Sequence, residues 1–129
     1  WRIKAGSRVR VRLSMFSKSR RYHVALVDPL PAGLEAVNFA IKGRSRVQTR
    51  ALGTSGRHDR WRTAWHDHQN LRDERIEAFS SILWAGGHEF EYIARATTPG
   101  AYRAAPTKAE EMYHPETFGR GQSDRVVIE

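Results

Sequence analysis

Three consecutive stretches decide the fold: His88-Glu89-Phe90-Glu91-Tyr92-Ile93-Ala94-Arg95-Ala96, then Thr97-Thr98-Pro99-Gly100, then Ala101-Tyr102-Arg103-Ala104-Ala105. Phe90, Tyr92, Ala94 and Ala96 fall on alternate positions of the first, with Glu91 and Arg95 among the residues between them. Side chains of an extended chain point to opposite faces in turn, so a period of two marks a strand with one buried face. Pro followed by Gly has the chemistry of a turn, because proline presets φ and glycine accepts positive φ. Ala101–Ala105 then returns, and the pattern predicts a hairpin between the two strands. Phe90 and Tyr92 are expected in the core, each contributing on the order of 2–3 kcal/mol by area.

The same period recurs on either side. In Arg8-Val9-Arg10-Val11-Arg12-Leu13 the apolar residues share one face and the arginines the other. The arginine row is read as the wet face of a sheet, with a phosphate-binding stripe as the sharper alternative. Residues 21–28 form a second strand, closed by Pro29 and Pro31, since a proline inside a strand removes a ladder donor. Residues 43–52 are a weak strand candidate, and 54–59 are loop by composition. A further strand centres on 75–79; a helix over 71–84 is the rival, and it lacks an apolar stripe. Residues 107–118 read as a surface segment with one helical turn, and 125–128 as a terminal strand. About seven short strands, frequent Pro and Gly and no long 3.6-residue period predict an all-β fold, an antiparallel two-sheet β-sandwich.

The 129 residues suffice for one domain, spanning 1–129. The chain begins at Trp1 without an initiator Met, and it is read as a fragment of a much larger chain. No run of eighteen apolar residues is present. There is no Cys, which excludes a disulfide scaffold, a thiol nucleophile and cysteine-ligated zinc. The net charge of +8 is unevenly spread: residues 1–62 hold fifteen basic and three acidic residues, residues 63–129 seven and eleven. Such asymmetry marks a polyanion-facing half, or two halves that pair within one domain.

Catalytic groupings are weak. His66 and His68 lie two apart and would share a face of a strand, with Asp67 between them and His58 upstream, yet no familiar metal-ligand spacing appears. Asp73, Glu74 and Glu77 alternate with Arg72 and Arg75, a pattern of structural ion pairs rather than of acid–base work. Ser80 and Ser81 sit in no nucleophile elbow, and Gly86-Gly87 is a turn pair rather than a phosphate loop. Trp1, Trp61, Trp65 and Trp84 are read as core and sheet-cover residues. No enzyme activity and no cofactor or metal is expected.

Several stretches in shared order resemble the C-terminal macroglobulin-like domain of bacterial alpha-2-macroglobulins. They are residues 24–38, with Asp28-Pro29-Leu30-Pro31-Ala32-Gly33-Leu34; residues 68–79; Tyr92 to Gly100; and the run through Pro106, Ala109-Glu110-Glu111-Met112-Tyr113, Pro115-Glu116, Gly119-Arg120 and Ser123–Val127. The likeness covers most of residues 22–129; residues 39–66 match nothing in the family's pattern. The resemblance implies a non-catalytic interaction domain of a protease-trapping inhibitor, located in the periplasm or outside the cell. In such proteins a protease cuts a bait region and a thioester captures it. The implied partners are the thioester domain and other domains of the same full-length chain, and target proteases through the full-length protein; nucleic acid is not expected. The implied contact with the thioester domain is Tyr113, Met112, Glu110 and Glu111, with Tyr102 and Trp84 as rival shields. The competing reading is a basic β-sandwich module that binds a polyanion, either nucleic acid or an anionic surface polysaccharide.

Overall fold

The computed structural model describes residues 1–37 and 65–129, and within them every regular element is a strand. In chain order these are β1 (Arg2–Ile3), β2 (Arg8–Ser17), β3 (Arg21–Pro29), β4 (Leu34–Ala36), β5 (His68–Leu71), β6 (Arg75–Leu83), β7 (Gly86–Ala96), β8 (Gly100–Ala104), β9 (Lys108–Glu111), β10 (His114–Arg120) and β11 (Asp124–Ile128). The expected all-β class holds. The eleven described strands exceed the seven expected, because β1, β4 and β5 are too short to show a period. The weak candidate at 43–52 and the loop at 54–59 lie outside the described residues, as do His58 and Trp61.

The described strands of the expected sandwich form three hydrogen-bonded sheets: β10-β9-β3-β6-β5, β2-β7-β4 and β1-β11-β8. All ladders are antiparallel except that of β1 with β11. Each sheet turns apolar residues into one core. Leu26, Ile76 and Ala78 come from the first, Leu34, Phe90, Tyr92, Ala94 and Ala96 from the second, and Val126 and Ile128 from the third. Along β2 the period of two is complete, with Arg8, Arg10 and Arg12 exposed and Val9, Val11 and Leu13 half-buried.

The hairpin expected across Thr97–Gly100 does not form. Strand β7 already has a partner on each edge, with Arg8–Ser17 on one side and Leu34–Ala36 on the other. Strand β8 therefore leaves that sheet and pairs with β11, Ala101 opposite Val127 and Arg103 opposite Arg125. The turn chemistry is present but carries the chain between sheets. Gly100 has φ of 153°, and a Cβ there would meet the Tyr102 hydroxyl at 2.9 Å. The Thr97 N–H donates to the Gly33 carbonyl at 2.9 Å, which pins this crossing to the β3–β4 connection. Gly33 is required there, because a Cβ would lie 2.4 Å from the Tyr102 ring.

Residues 107–118 hold no helical turn. They contain β9 and most of β10, which pair with each other, and Pro115 is tolerated because β10 is an edge strand. The buried Asp28 carboxylate accepts hydrogen bonds from the Tyr92 hydroxyl and, at 2.5 Å, from the Thr107 hydroxyl. This ties β3, β7 and the approach to β9 together. Burial, reinforced by the Asp28 charge, holds the Tyr92 phenol far above its ordinary pKa, so it remains a donor at every working pH.

Candidate interaction face

Most of the exposed large apolar side chains gather at one end of the domain. Strand β2 ends there, β3 begins, β6 ends, β7 begins, and β9 turns into β10. Register fixes this clustering: Ser17 pairs with Gly86, Arg21 with Leu83 and Tyr22 with Ile82, while the Met112 N–H donates to the His23 carbonyl at 2.8 Å. Phe16 (72% exposed), Trp84 (61%) and Tyr113 (73%) stand at this end with Tyr22, Ile82 and Met112. A contiguous apolar surface rimmed by polar groups marks an interaction site.

Local geometry holds these rings in place. The Arg20 guanidinium lies over both the Tyr22 and Trp84 rings, at 5.4 and 5.6 Å, so one cation braces two aromatics. His23 takes a left-handed φ of 51°, uncommon for a residue with a Cβ. Its ring meets Tyr113 edge-on at 5.0 Å. The conformation interrupts the β3–β6 ladder between Tyr22 and Val24 and presents Tyr22 beyond the core.

The four residues implied by resemblance divide into two pairs. Met112 and Tyr113 occupy the β9–β10 turn and are exposed. Glu110 and Glu111 lie in β9, half-buried, and already face cations: Lys108 Nζ is 2.9 Å from Glu110, and Arg21 is 3.9 Å from Glu111. Of the rivals, Trp84 joins the same face, whereas Tyr102 packs against Gly33 at the crossing from β7. Phe16 and Tyr22 escaped the sequence reading. Phe16 did leave a signal: it is an aromatic in the same phase as Arg8, Arg10, Arg12 and Ser14, where a solvated face has no use for one.

Other groupings do not converge. His66 packs edge-on against Phe90 at 5.3 Å, while His68 stacks on Phe79 at 6.1 Å. They do not share a face, because β5 starts only at His68 and His66 precedes the regular alternation. Among the described residues no group of three or more His, Asp or Glu is placed to hold a metal. Arg72 and Arg75 each approach the Glu77 carboxylate at 2.8 Å, and the Arg75 hydrogen bond and charge hold it below the usual carboxylate range. Trp1 and Trp84 are exposed rather than covering a core; of the three described tryptophans Trp65, whose indole N–H donates to the Glu89 carbonyl at 2.9 Å, packs as expected.

Burial of the His66 ring lowers its pKa, outweighing Gln69 and Asp67, which raise it. The unfolded chain therefore binds a proton on this ring before the folded one does. Stability contributed here is full above the unfolded pKa of about 6.5 and falls as the pH drops through it, levelling off below the folded value. We expect His66→Phe to flatten the dependence of urea midpoint on pH between about 7.5 and about 5.5. An unchanged slope in that variant would contradict the assignment.

Residues 1–116 match the bacterial alpha-2-macroglobulin MG10 domain family. The chain is similar to an alpha-2-macroglobulin of Xylella fastidiosa (strain Temecula1), 35% identical over 98% of this chain and 8% of that protein. It is also similar to circularly permutated Ras protein 2 of Dictyostelium discoideum, 34% identical over 98% of this chain and 3% of that protein. Among solved structures, native alpha-2-macroglobulin from Escherichia coli, spanning domain MG7 to the C-terminus, superposes with a TM-score of 0.77 at 28% identity, over 98% of this chain and 20% of that one. The chain thus spans less than a tenth of the length of these two curated relatives.

Proposed function

Because the chain belongs to the bacterial alpha-2-macroglobulin MG10 domain family, we propose that it is a non-catalytic docking module of a protease-trapping inhibitor, at the C-terminal end of its parent in the cell envelope. It packs through the exposed apolar end on the thioester domain of the same full-length chain and keeps solvent from the thioester. The observation that carries this reading is the gathering of the exposed Phe16, Tyr22, Ile82, Trp84, Met112 and Tyr113 at one end of the domain. Six large apolar side chains left in water at one end are a cost that docking removes. This chain has no Cys, so the thioester it guards is supplied by another domain. A thioester is an activated acyl group that water and small amines attack, and it survives where aromatic rings exclude solvent. Protease capture is the work of the parent, with the target protease engaged through its other domains.

Hydroxyl-radical footprinting tests this reading. Met112, Tyr113 and Trp84 should oxidise severalfold more slowly in the intact parent than in the isolated 129-residue chain. Equal rates in the two would show that no domain covers this face.

A further inference from the structure

A second surface runs along β2, away from its Phe16 end. Among the described strands β2 is at the edge of its sheet and β10 at the edge of the facing one, and no described strand closes the sandwich along this side. The inward side chains of β2, Val9, Val11, Leu13 and Met15, are only half-buried. Those of its neighbour β7, Phe90, Tyr92, Ala94 and Ala96, are buried. A groove beside β2 is lined by Val9, Val11 and Leu13 together with Val126, and a separate one beyond Met15 reaches Phe118.

Among the described residues the backbone of this edge is also unpaired. The Ala96 N–H donates to the Ser7 carbonyl at 2.9 Å. Bonding alternates along an antiparallel ladder, so odd-numbered β2 residues bond β7, and the peptide groups of Arg8, Arg10, Arg12 and Ser14 point to the open edge. Charge gives the third element. Arg8 and Arg10 are exposed and pair with no carboxylate among the described residues, and Arg8 stands opposite Arg95. Arg12 shows which charge the row accepts, since it holds Glu91 at 2.7 Å.

We propose that the open edge of β2 takes an added strand from a partner protein, an extended segment in which acidic and apolar residues alternate. Its backbone completes the ladder of Arg8, Arg10 and Arg12, its apolar side chains enter the groove over Val9, Val11 and Leu13, and its carboxylates lie beside the arginines. A second copy of this chain is a poor occupant, because β2 against β2 sets arginine rows side by side. This inference does not rest on the thioester reading, which uses the end of the domain where β2 finishes at Phe16 and Ser17.

The test is fluorescence anisotropy with the 129-residue chain and a capped octapeptide of alternating glutamate and valine. We expect saturable binding, at least about tenfold weaker for the lysine–valine isomer. The double variant R8E/R10E, on exposed side chains, should reverse that order while the far-ultraviolet dichroism stays unchanged. Of the two glutamate–valine peptides N-methylated at alternate residues, the one that loses its inward-facing N–H groups should no longer bind. No saturable binding of the parent peptide would overturn the proposal. So would equal binding of both N-methylated peptides, or a heparin oligosaccharide that binds more tightly than the peptide, since either shows the arginine row reading charge alone.

Discussion

Replacing Phe90 with alanine is expected to cost about 3–5 kcal/mol of folding stability, a large share of what a domain of this size has. Phe90 is 2% exposed and sits where the sheets meet. Its ring is surrounded by others: His66 at 5.3 Å, Trp65 at 6.3 Å and Tyr92 at 6.4 Å. Pairing with Leu13 of β2, and of β7 with β4 further along at Ala94–Ala96, fixes its backbone, so the neighbours collapse little into the space that the ring vacates. Urea unfolding should show the midpoint fall with little change in slope. Phe16→Ala, on an exposed ring, should change stability by no more than about 0.5 kcal/mol. Equal costs for the two would mean that the core has been placed in the wrong layer.

The contrast between these two phenylalanines also shows what the sequence made legible. Phe90 announced itself because Phe90, Tyr92, Ala94 and Ala96 hold one phase over four positions, and the strand keeps that phase. Arg8 to Leu13 were equally clear. Which strand lies beside which was not. The Thr97–Gly100 turn signal is local, whereas pairing depends on which edges are already taken, and β7 gave its edges to β2 and β4. β9 and β10 hid for another reason: their residues are half-buried or exposed, so no apolar period marks them. At the candidate face, Met112 and Tyr113 were reached through resemblance alone. Tyr22, Trp84 and Phe16 come to one end only when the ends of two strand pairs, β2–β7 and β3–β6, meet, and no window of sequence contains that meeting. The left-handed His23 could not have been foreseen either, because nothing in Arg21-Tyr22-His23-Val24 calls for positive φ.

Tyr113→Ala in the full-length parent is the second large effect. Tyr113 stands at the β9–β10 turn, 73% exposed in the isolated domain, with its ring held edge-on by His23. Such a side chain loses little further freedom on docking and has most of its surface left to bury, which are the properties of an interface anchor. Losing an aromatic anchor costs on the order of 2 kcal/mol at an interface, which raises the population of the undocked arrangement on the order of thirtyfold. Glu110→Gln should change far less, because its carboxylate is already engaged by Lys108 within the domain.

The rate at which methylamine releases thiol from the intact parent, compared with the rate in its Tyr113→Ala variant, tests the docking of this face on the thioester domain most directly. The account predicts release on the order of ten- to thirtyfold faster in the variant, with the folded domain's dichroism unchanged. Release at the parent's rate would contradict it, and would mean that the exposed end of this domain guards nothing.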